Sequence, residues 1–528
     1  MIPVIVLGAA LSLSHRARAK TPGPIVDVGY SSFQGNALEG INEWLGVRYA
    51  APPTKENRWR APQAPVSTDT LQKAEKWPEV CLPSPSAGKT AGANEDCLFL
   101  NIWAPADLSK PHPVYVFLQG GGMNNNASPK MNGTYLVVTG DHDMVVVTLN
   151  YRVGVFGFLA SKEVKADGDI NIGNLDQRFA LQWVQKNIEK FGGDPKRVTL
   201  GGESAGAASV NLHLAAYGGR DDGLFQAVVG HSNSFGYQLT VDESQYQFDA
   251  LVARAKCDQG DKAKDKLKCL RDMSVDDLVK INLVGPHPGQ TEAPNFMYSN
   301  TMDGNFTAEY THQAFADGKF IKVPSIFGAN SNEGTIFTPG GLSNYDDVNK
   351  FLKANYPKLT AEHLANIDHY YPKMAQFLGK GEYWRTGATA YGEMRYNCPG
   401  YSLPKQFAAH GITDVWHYHY DVLKPENAAN GNGVTHCQDV NSIWGTATGP
   451  DVAQQPIISK YYASFIRMHD VNALKAAGAP DWVRFNATDG MQAMHFVNDP
   501  TKNAMESTPQ YTADNCDWFA SLGATIGF

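Results

Sequence analysis

The chain has 528 residues, of which 43% are hydrophobic and 19% are charged, so it can bury a large core and is not intrinsically disordered. Its formal net charge of −8 at pH 7 argues against nucleic acid or an anionic membrane surface as a partner. Beyond the N-terminus no stretch is long and apolar enough for an integral membrane segment.

The first twenty residues, MIPVIVLGAALSLSHRARAK, join an apolar run to the small-residue pattern Ala17-Arg18-Ala19. This pattern predicts a signal peptide at residues 1–19, although no basic residue precedes the apolar run, and a buried N-terminal strand is the alternative. Asn-X-Ser/Thr triplets predict glycosylation at four positions: Asn126, Asn132, Asn305 and Asn486. Together these features predict a secreted, extracellular glycoprotein.

Short apolar runs alternate with helical patterns along the rest of the chain. Strands are predicted at residues 113–120, 144–152, 197–202, 226–232, 323–330 and 414–422, and helices at residues 173–191 and 204–217. Apolar strands separated by helices indicate an α/β fold, with a mostly parallel sheet that helices cover on both faces. Because no repeat or linker-like stretch divides the chain, we expect residues 20–528 to form a single domain.

The stretch VTLGGESAGAASV, residues 198–210, passes directly from a predicted strand into a predicted helix. A serine between glycines at such a turn is typical of a nucleophile elbow. Small neighbours such as Gly202 and Gly206 allow the sharp turn that lifts the hydroxyl of Ser204 off the strand. The pattern therefore predicts Ser204 as a nucleophile, beside helix N–H groups that can bind an anion.

A serine hydroxyl needs a base to take its proton, and the base needs an acid to fix its tautomer. Enzymes with this turn carry the acid and then the histidine after the serine, but eight or more histidines follow Ser204, so chain order does not select one. His417 and His419 in WHYHY have the spacing of a metal-binding pair, but alternation along a strand explains them, and we assign them a structural role. The glycine run at residues 120–122 suits backbone donors to an oxyanion.

These segments resemble the type-B carboxylesterase, lipase and cholinesterase family of α/β-hydrolases. FGGDPKRVTLGGESAGAASV, residues 191–210, is similar to the family's serine signature, and EDCLFLNIW, residues 95–103, to its second signature. GVRYAAPP, LNYRVGVFGFLA and GNLDQRFALQWVQKNIEKFGGDP also stand in the family's order. The resemblance covers nearly the whole chain, favours secreted fungal members, and implies the α/β-hydrolase fold.

The resemblance also implies roles for individual residues. Ser204 matches the nucleophile, Glu333 in ANSNEGT the acid, and His436 in GVTHCQDV the base. The remaining matches are the oxyanion donors and two supporting carboxylates: Gly121, Gly122 and Ala205, with Glu203 and Asp439. The reaction that follows is acyl transfer from a small-molecule ester to the serine, which requires no metal and no organic cofactor.

Three disulfides and two ion pairs are further implied by the resemblance. The disulfides join Cys81 to Cys97, Cys257 to Cys269, and Cys398 to Cys516. This leaves Cys437 beside the base, where a thiol would make activity sensitive to oxidation. The ion pairs are Arg48 with Glu95 and Arg152 with Asp176.

The first disulfide loop, residues 81–97, departs from two branches of the family. It carries no aromatic residue, whereas cholinesterases place a choline-binding tryptophan there, and it is too short for the amphipathic lid of the lipases. A general serine carboxylesterase is therefore favoured. A lipase or sterol esterase with another lid is the alternative, and a catalytically silent binding protein is disfavoured because every triad member is present. Pocket walls are expected from residues 231–237, 284–297 and 383–396; the natural ester and the oligomeric state are not predicted.

Overall fold

A computed structural model describes residues 20–85, 91–488 and 490–527, so the predicted signal peptide lies outside the described residues. The described residues contain the following strands: β1 (Thr21–Asp27), β2 (Ser32–Leu38), β3 (Ile41–Arg48), β4 (Gln72–Lys73), β5 (Val80–Cys81), β6 (Ala93–Asn94), β7 (Phe99–Pro105), β8 (His112–Leu118), β9 (Val145–Leu149), β10 (Gly193–Glu203), β11 (Ala227–His231), β12 (Leu239–Thr240), β13 (Thr301–Met302), β14 (Ser325–Asn330), β15 (Val415–Asp421), β16 (Gln492–Val497) and β17 (Ala504–Ser507).

The helices of the described residues are α1 (Thr134–Thr139), α2 (Gly154–Phe158), α3 (Lys162–Asp167), α4 (Ile172–Asn187), α5 (Ala205–Gly219), α6 (Val241–Ala255), α7 (Lys266–Asp272), α8 (Val275–Ile281), α9 (Thr311–Ala316), α10 (Tyr345–Asn355), α11 (Ala361–Tyr370), α12 (Trp384–Gly392), α13 (Cys398–Ala409), α14 (Pro425–Asn430), α15 (Gln438–Ile443), α16 (Asp451–Met468) and α17 (Gln510–Ile526). A π-helical turn, Glu393–Asn397, connects α12 to α13. No helix in the described ranges has the length and apolar character needed to cross a membrane.

One large mixed sheet organises the fold, and its strand order is β1-β2-β3-β7-β9-β8-β10-β11-β14-β15-β16-β17, with β4 beside β2. The strands from β9 through β8, β10, β11, β14 and β15 to β16 are all parallel to one another. The flanks are antiparallel, at β1-β2-β3-β7-β9 on one side and at β16-β17 on the other. The predicted parallel centre is confirmed, and the six strands predicted from apolar runs correspond to β8, β9, β10, β11, β14 and β15.

Helices cover both faces of this sheet, as the alternation of side chains along β8 demonstrates. Val114, Val116 and Leu118 are buried in one apolar cluster with α4 and α5. Tyr115 and Phe117 are buried in a second cluster with α1, α15 and α16. A strand buried on both faces reads as a continuous apolar run, which is why the sequence at residues 113–118 signals it so clearly.

The three disulfides join the predicted cysteines. Cys81 is bonded to Cys97 and Cys257 to Cys269, each closing a short loop. Cys398 is bonded to Cys516 across 118 residues and so ties the start of α13 to α17. Long loops gain the most from such a bond, because an unfolded chain loses more freedom when its distant parts are linked.

One of the two implied ion pairs is wrong. Glu95 bonds Arg58, whose guanidinium also donates to the carbonyls of Arg271 and Met273. Arg48 instead makes two hydrogen bonds with Asp96, at 2.7 and 2.8 Å between nitrogen and oxygen. Neighbouring residues in extended chain point to opposite sides, so Glu95 turns into the buried interior and Asp96 towards Arg48.

The second implied pair is present and lies in the core. Arg152 and Asp176 are joined by two side-chain hydrogen bonds of 2.7 Å, and the backbone N–H of Arg152 donates to the same carboxylate at 3.1 Å. Both side chains are buried. The pair holds the start of α4 against the segment that follows β9.

Replacing Asp176 with Asn is expected to destabilise the protein by about 3–5 kcal/mol, because it leaves the guanidinium of Arg152 buried without a countercharge. The measurement is the midpoint of guanidinium unfolding for the wild type and for Asp176→Asn. Asp517→Asn is the matched control, since Asp517 pairs with Lys405 at the surface and its loss should barely move the midpoint. Equal midpoints for the two variants would contradict the expectation.

Candidate active site

Ser204 lies at the turn between β10, which ends at Glu203, and α5, which begins at Ala205. Its backbone has φ 54° and ψ −121°, a conformation that residues other than glycine rarely adopt. The backbone N–H of Ser204 donates to the carbonyl of His231 at the end of β11, at 3.0 Å. This turn has the geometry of the predicted nucleophile elbow.

Close backbone contacts explain why the elbow needs glycines on both sides. A Cβ at Gly206 would lie 2.0 Å from the carbonyl oxygen of Leu118 in β8. A Cβ at Gly202 would lie 2.4 Å from the carbonyl carbon of Gly206. Because these contacts involve backbone rather than flexible side chains, larger residues would push α5 away from the sheet.

Glu333 and His436 are hydrogen-bonded to each other. Glu333 is fully buried and follows β14, where its Oε1 accepts the backbone N–H of Asn330 at 2.6 Å. Its Oε2 bonds Nδ1 of His436, so that Nδ1 carries the proton and Nε2 is left as the acceptor. Within the described residues Nε2 of His436 has no hydrogen-bond partner.

A cavity of about 400 Å³ contains Ser204, His436, Gly121 and Gly122 in its lining. The structure therefore brings the predicted nucleophile, base and two of the predicted oxyanion donors to one site. Ala205, the third predicted donor, is the first residue of α5 beside Ser204. Glu333 lies behind His436 and does not line this cavity.

The glycine loop after β8 has a backbone shape that side chains would prevent. Gly121 has φ +114° and Gly122 has φ +61°, and a Cβ at Gly122 would lie 2.0 Å from the ring of Phe296. The side-chain amide of Asn124 donates to the carbonyls of Gly122 and Tyr298, at 2.6 and 2.7 Å. Asn124 thereby fixes the loop to the segment that carries Phe296.

Asn126, further along the same loop, holds it to the first disulfide. Its amide nitrogen donates to the carbonyl of Cys81 at 2.7 Å, and its amide oxygen accepts from Gln119 at 3.0 Å. The amide is thus used on both sides. Gln119, the residue before the glycine run, is therefore a partner of Asn126.

Asp439, one of the two predicted supporting carboxylates, is fully buried. It accepts hydrogen bonds from Tyr418 at 2.6 Å and from the amide of Asn330 at 2.9 Å, and its distance to Nδ1 of His231 is 3.3 Å. Burial opposes ionisation, but these hydrogen bonds together lower the pKa of Asp439. His231 is thus a partner of Asp439, a role that its sequence position did not suggest.

Glu203, the other predicted carboxylate, is buried and lines the cavity beside Ser204. Its Oε1 lies 3.5 Å from the backbone nitrogen of Gly120. Asn330, which sequence reasoning missed, connects Asp439 to Glu333. Its amide nitrogen donates to Asp439 and also lies 3.3 Å from Glu333. No sequence signal distinguishes this asparagine from an ordinary strand-end residue.

The apolar walls of the cavity come only partly from the expected segments. Phe296 lies in the expected range 284–297, and Tyr396, in the range 383–396, packs on the ring of His436 with centroids 4.2 Å apart. Ile336 and Phe337 also line the cavity, although sequence reasoning did not select them. Their only signal was their position three and four residues after Glu333.

Cys437 is a free thiol that also lines the cavity. Its backbone N–H donates to Ser232 at 2.9 Å. Burial, followed by the negative charges of Glu203, Glu333 and Asp439, raises the pKa of the Cys437 thiol well above its ordinary value. A thiol held in the neutral form is a poor nucleophile, so the structure argues against the expected sensitivity of activity to oxidation.

Strand order, elbow and a cavity at the carboxyl ends of the parallel strands define an α/β-hydrolase fold. The carboxylesterase family model matches residues 22–516, and the chain belongs to that family.

Three known proteins illustrate the similarity. The chain is 28% identical over 520 residues to Secreted lipase 4 of Gibberella zeae, covering 93% of this chain and 92% of the lipase. It is 27% identical over 549 residues to Liver carboxylesterase of Sus scrofa, with the same two coverages. The crystal structure of Aspergillus niger EstA matches with a TM-score of 0.92 at 35% identity, covering 96% of this chain and 99% of EstA. The protein is a carboxylic ester hydrolase of a family with fungal members.

The neutral state of Cys437 predicts that iodoacetamide will leave the esterase activity of the native protein nearly unchanged at about pH 8. An exposed cysteine with a pKa of about 8.5 would be alkylated readily under these conditions. Activity and incorporated label are measured together over time. Protein unfolded in guanidinium without reductant serves as the control and should take up one label per chain. Rapid inactivation of the native enzyme would contradict the assignment.

Proposed function

We propose that the protein is a secreted serine carboxylesterase in which Ser204, His436 and Glu333 form the catalytic triad. The observation that carries this proposal is the geometry of the base. Glu333 occupies Nδ1 of His436, which leaves Nε2 as a proton acceptor on the cavity that also contains the strained Ser204. Buried carboxylate, imidazole and serine in this arrangement are the parts of an acyl-transfer site.

In the proposed reaction Nε2 of His436 takes the proton of the Ser204 hydroxyl while the oxygen attacks the ester carbonyl. The resulting oxyanion accepts hydrogen bonds from the N–H groups of Gly121, Gly122 and Ala205. The imidazolium then protonates the leaving alcohol, and water repeats the cycle to release the acid. Glu333 orients the ring of His436 and stabilises the imidazolium in the steps in which it forms.

The preorganised backbone of the glycine loop supports its role as the oxyanion donor. Within the described part of the chain, the N–H groups of Gly121 and Gly122 donate to no other group. Ala205 begins α5, where unpaired N–H groups and the helix dipole favour negative charge. Three donors held this way need no rearrangement when the charge develops on the oxygen.

The cavity supports small and medium-sized esters as substrates. A volume of about 400 Å³ lies at the lower end of ordinary small-molecule sites. Its walls include the apolar side chains of Phe296, Ile336 and Phe337. The similarity to a protein named as a secreted lipase keeps a lipase or sterol esterase as the second candidate. Chain-length preference separates the two.

A p-nitrophenyl ester series from acetate to palmitate tests the proposal. The wild type should have its highest kcat/KM on short or medium acyl chains, and Ser204→Ala and His436→Ala should each lose about 10³-fold or more. Ser343→Ala and His369→Ala, at exposed positions, are the matched controls and should retain wild-type rates.

Two outcomes would change the assignment. Full activity in Ser204→Ala would remove Ser204 as the nucleophile. A rate that rises towards long chains above their solubility limit would make the protein a lipase or sterol esterase instead, with the same triad.

Export from the cell is supported by three features together. The N-terminal 19 residues have signal-peptide character, the chain carries three disulfides, and a relative is named as secreted. A secreted chain from a eukaryotic host can carry N-linked glycans. The four sequons differ in their surroundings, so they are not equivalent acceptors.

We expect glycans at Asn132, Asn305 and Asn486, which are exposed, and none at Asn126. The amide nitrogen of Asn126 donates to Cys81, and a glycan on that nitrogen would have to fit inside the loop. Enzymatic deglycosylation in heavy-oxygen water, followed by mass spectrometry, marks every occupied asparagine. A glycosylated Asn126 in active protein would contradict this description of the loop.

A further inference from the structure

Outside the active site, two histidines and a glutamate converge on one edge of the sheet. His419 lies in β15, His495 in β16 and Glu506 in β17. One potential metal-ligand atom of each lies within 4.8 Å of the other two. All three side chains are partly exposed, so an ion from solvent can reach them. Residues that are 11 to 87 positions apart in the chain thus meet at one point.

Strand register places these side chains on one face. His419 and His495 are paired directly across β15 and β16, and their rings stack with centroids 4.8 Å apart. Glu506 pairs with Ala493, which precedes His495 by two residues and so shares its face. The cluster is therefore fixed by the backbone of three adjacent strands rather than by flexible loops.

Hydrogen bonds orient the rings so that both Nδ1 atoms face Glu506. Nδ1 of His419 lies 2.7 Å from Oε1 of Glu506, and Nδ1 of His495 lies 2.9 Å from Oε2. On the outer side, Nε2 of His419 bonds the hydroxyl of Ser331 at 2.8 Å, and this hydroxyl bonds Asp421 at 2.5 Å. Nε2 of His495 lies 3.6 Å from the same Asp421.

The outer side of His419 is typical of a metal-binding histidine. A histidine that binds a metal through one nitrogen almost always donates its other N–H to a carboxylate or another fixed acceptor, which sets the tautomer and the ring angle. Asp421 meets this requirement for His419 through Ser331, whereas Nε2 of His495 has no hydrogen-bond partner among the described residues. Both Nδ1 atoms face Glu506, so each would exchange its hydrogen bond with that carboxylate for a bond to the ion and release the proton it carries.

We propose that His419, His495 and Glu506 bind one divalent transition-metal ion of the Zn²⁺ type, through both Nδ1 atoms and a carboxylate oxygen. Two imidazoles and one carboxylate are donors that Zn²⁺ accepts, with water completing the coordination. Donors about 2.1 Å from a tetrahedral Zn²⁺ lie about 3.4 Å apart, so the two nitrogen–oxygen distances of 2.7 and 2.9 Å would lengthen when the ion enters between the ligands.

Ordinary hydrogen bonding is the competing explanation for the cluster. The neighbouring carboxylates of Asp421 and Glu506 raise the pKa of His495 to about 9, so a proton can serve as the cation when no metal is present. Only the metal-site explanation predicts that the protein binds one metal ion per chain. The proposal does not depend on the esterase mechanism, because none of the three residues belongs to the proposed triad or oxyanion hole.

The position of the cluster indicates a structural role for the ion. It would join the last three strands of the sheet, including the edge strand β17. His419 and Glu506 also line a cavity of about 330 Å³ whose lining includes Glu333, and Ser331 precedes Glu333 by two residues. The ion would therefore stabilise both the sheet edge and the loop that carries the proposed triad acid.

The test is metal binding by untagged full-length protein, stripped with a chelator and dialysed. We expect about one Zn²⁺ per chain by competition with a chromophoric chelator, and visible absorption bands without a thiolate band when Co²⁺ replaces Zn²⁺. Glu506→Gln and His419→Gln should lose stoichiometric binding, and Asp421→Asn should weaken it about 10–100-fold. His369→Ala and Cys437→Ala should bind as the wild type does.

Thermal unfolding keeps the test decisive if a variant is less stable. Zn²⁺ should raise the Tm of the wild type but not of Glu506→Gln, and the esterase activity of metal-free Glu506→Gln should match that of the metal-free wild type. Wild-type protein that binds no more Zn²⁺ than Glu506→Gln would overturn the proposal. Loss of binding in Cys437→Ala would assign the metal to the thiol and overturn it equally.

Discussion

The strained turn at Ser204 is the constraint on which the neighbouring structure depends. A non-glycine residue in such a conformation costs about 1–3 kcal/mol, and it persists only where the surroundings fix it. Here β10 is hydrogen-bonded on both sides, to β8 and to β11, over the residues that lead into the turn. On the far side α5 packs so tightly that Gly206 touches the carbonyl of Leu118. Sheet, turn and helix must therefore form together.

A chain of buried polar contacts extends this constraint to Glu333, the proposed catalytic acid. Ser204 donates to the carbonyl of His231, and the ring of His231 lies against Asp439. Asp439 shares the amide of Asn330 with Glu333, which in turn orients His436. Buried networks of this kind require every member, because a missing partner leaves a charge or amide unpaired in a medium that solvates it poorly. Ser204 and His436 are thus positioned by one connected set of groups.

Sequence sufficed for the features that depend on local pattern. The strand β8 is apolar on both faces, and the elbow needs glycine on both sides of Ser204. Both features can therefore be recognised from the local sequence. The resemblance added Glu333 and His436, which no local pattern identifies among many acids and histidines. It failed for Glu95, because the choice between Glu95 and Asp96 depends on which of two adjacent side chains turns inward.

Contacts between distant segments that neither a local pattern nor the resemblance marks could not be predicted. Asn330 looks like any residue at the end of a strand, and its role follows only from the fold that brings Asp439 beside it. The expected structural role of His417 and His419 rested on their shared strand, yet the structure separates them. His417 is buried, with its pKa lowered to about 3 by burial, whereas His419 meets residues of two other strands. The register between β15, β16 and β17 determines which residues surround His419, and this register cannot be predicted from the sequence of one strand.

The amide of Asn126 links the glycine loop after β8 to the backbone of a disulfide-bonded cysteine. Cys81 is held in place partly by its covalent bond to Cys97, so the precision of the loop depends on a redox reaction that the loop does not take part in. The covalent bond thus lies one hydrogen bond away from the glycine loop, and the position of that loop depends on a bond between two residues that do not line the cavity.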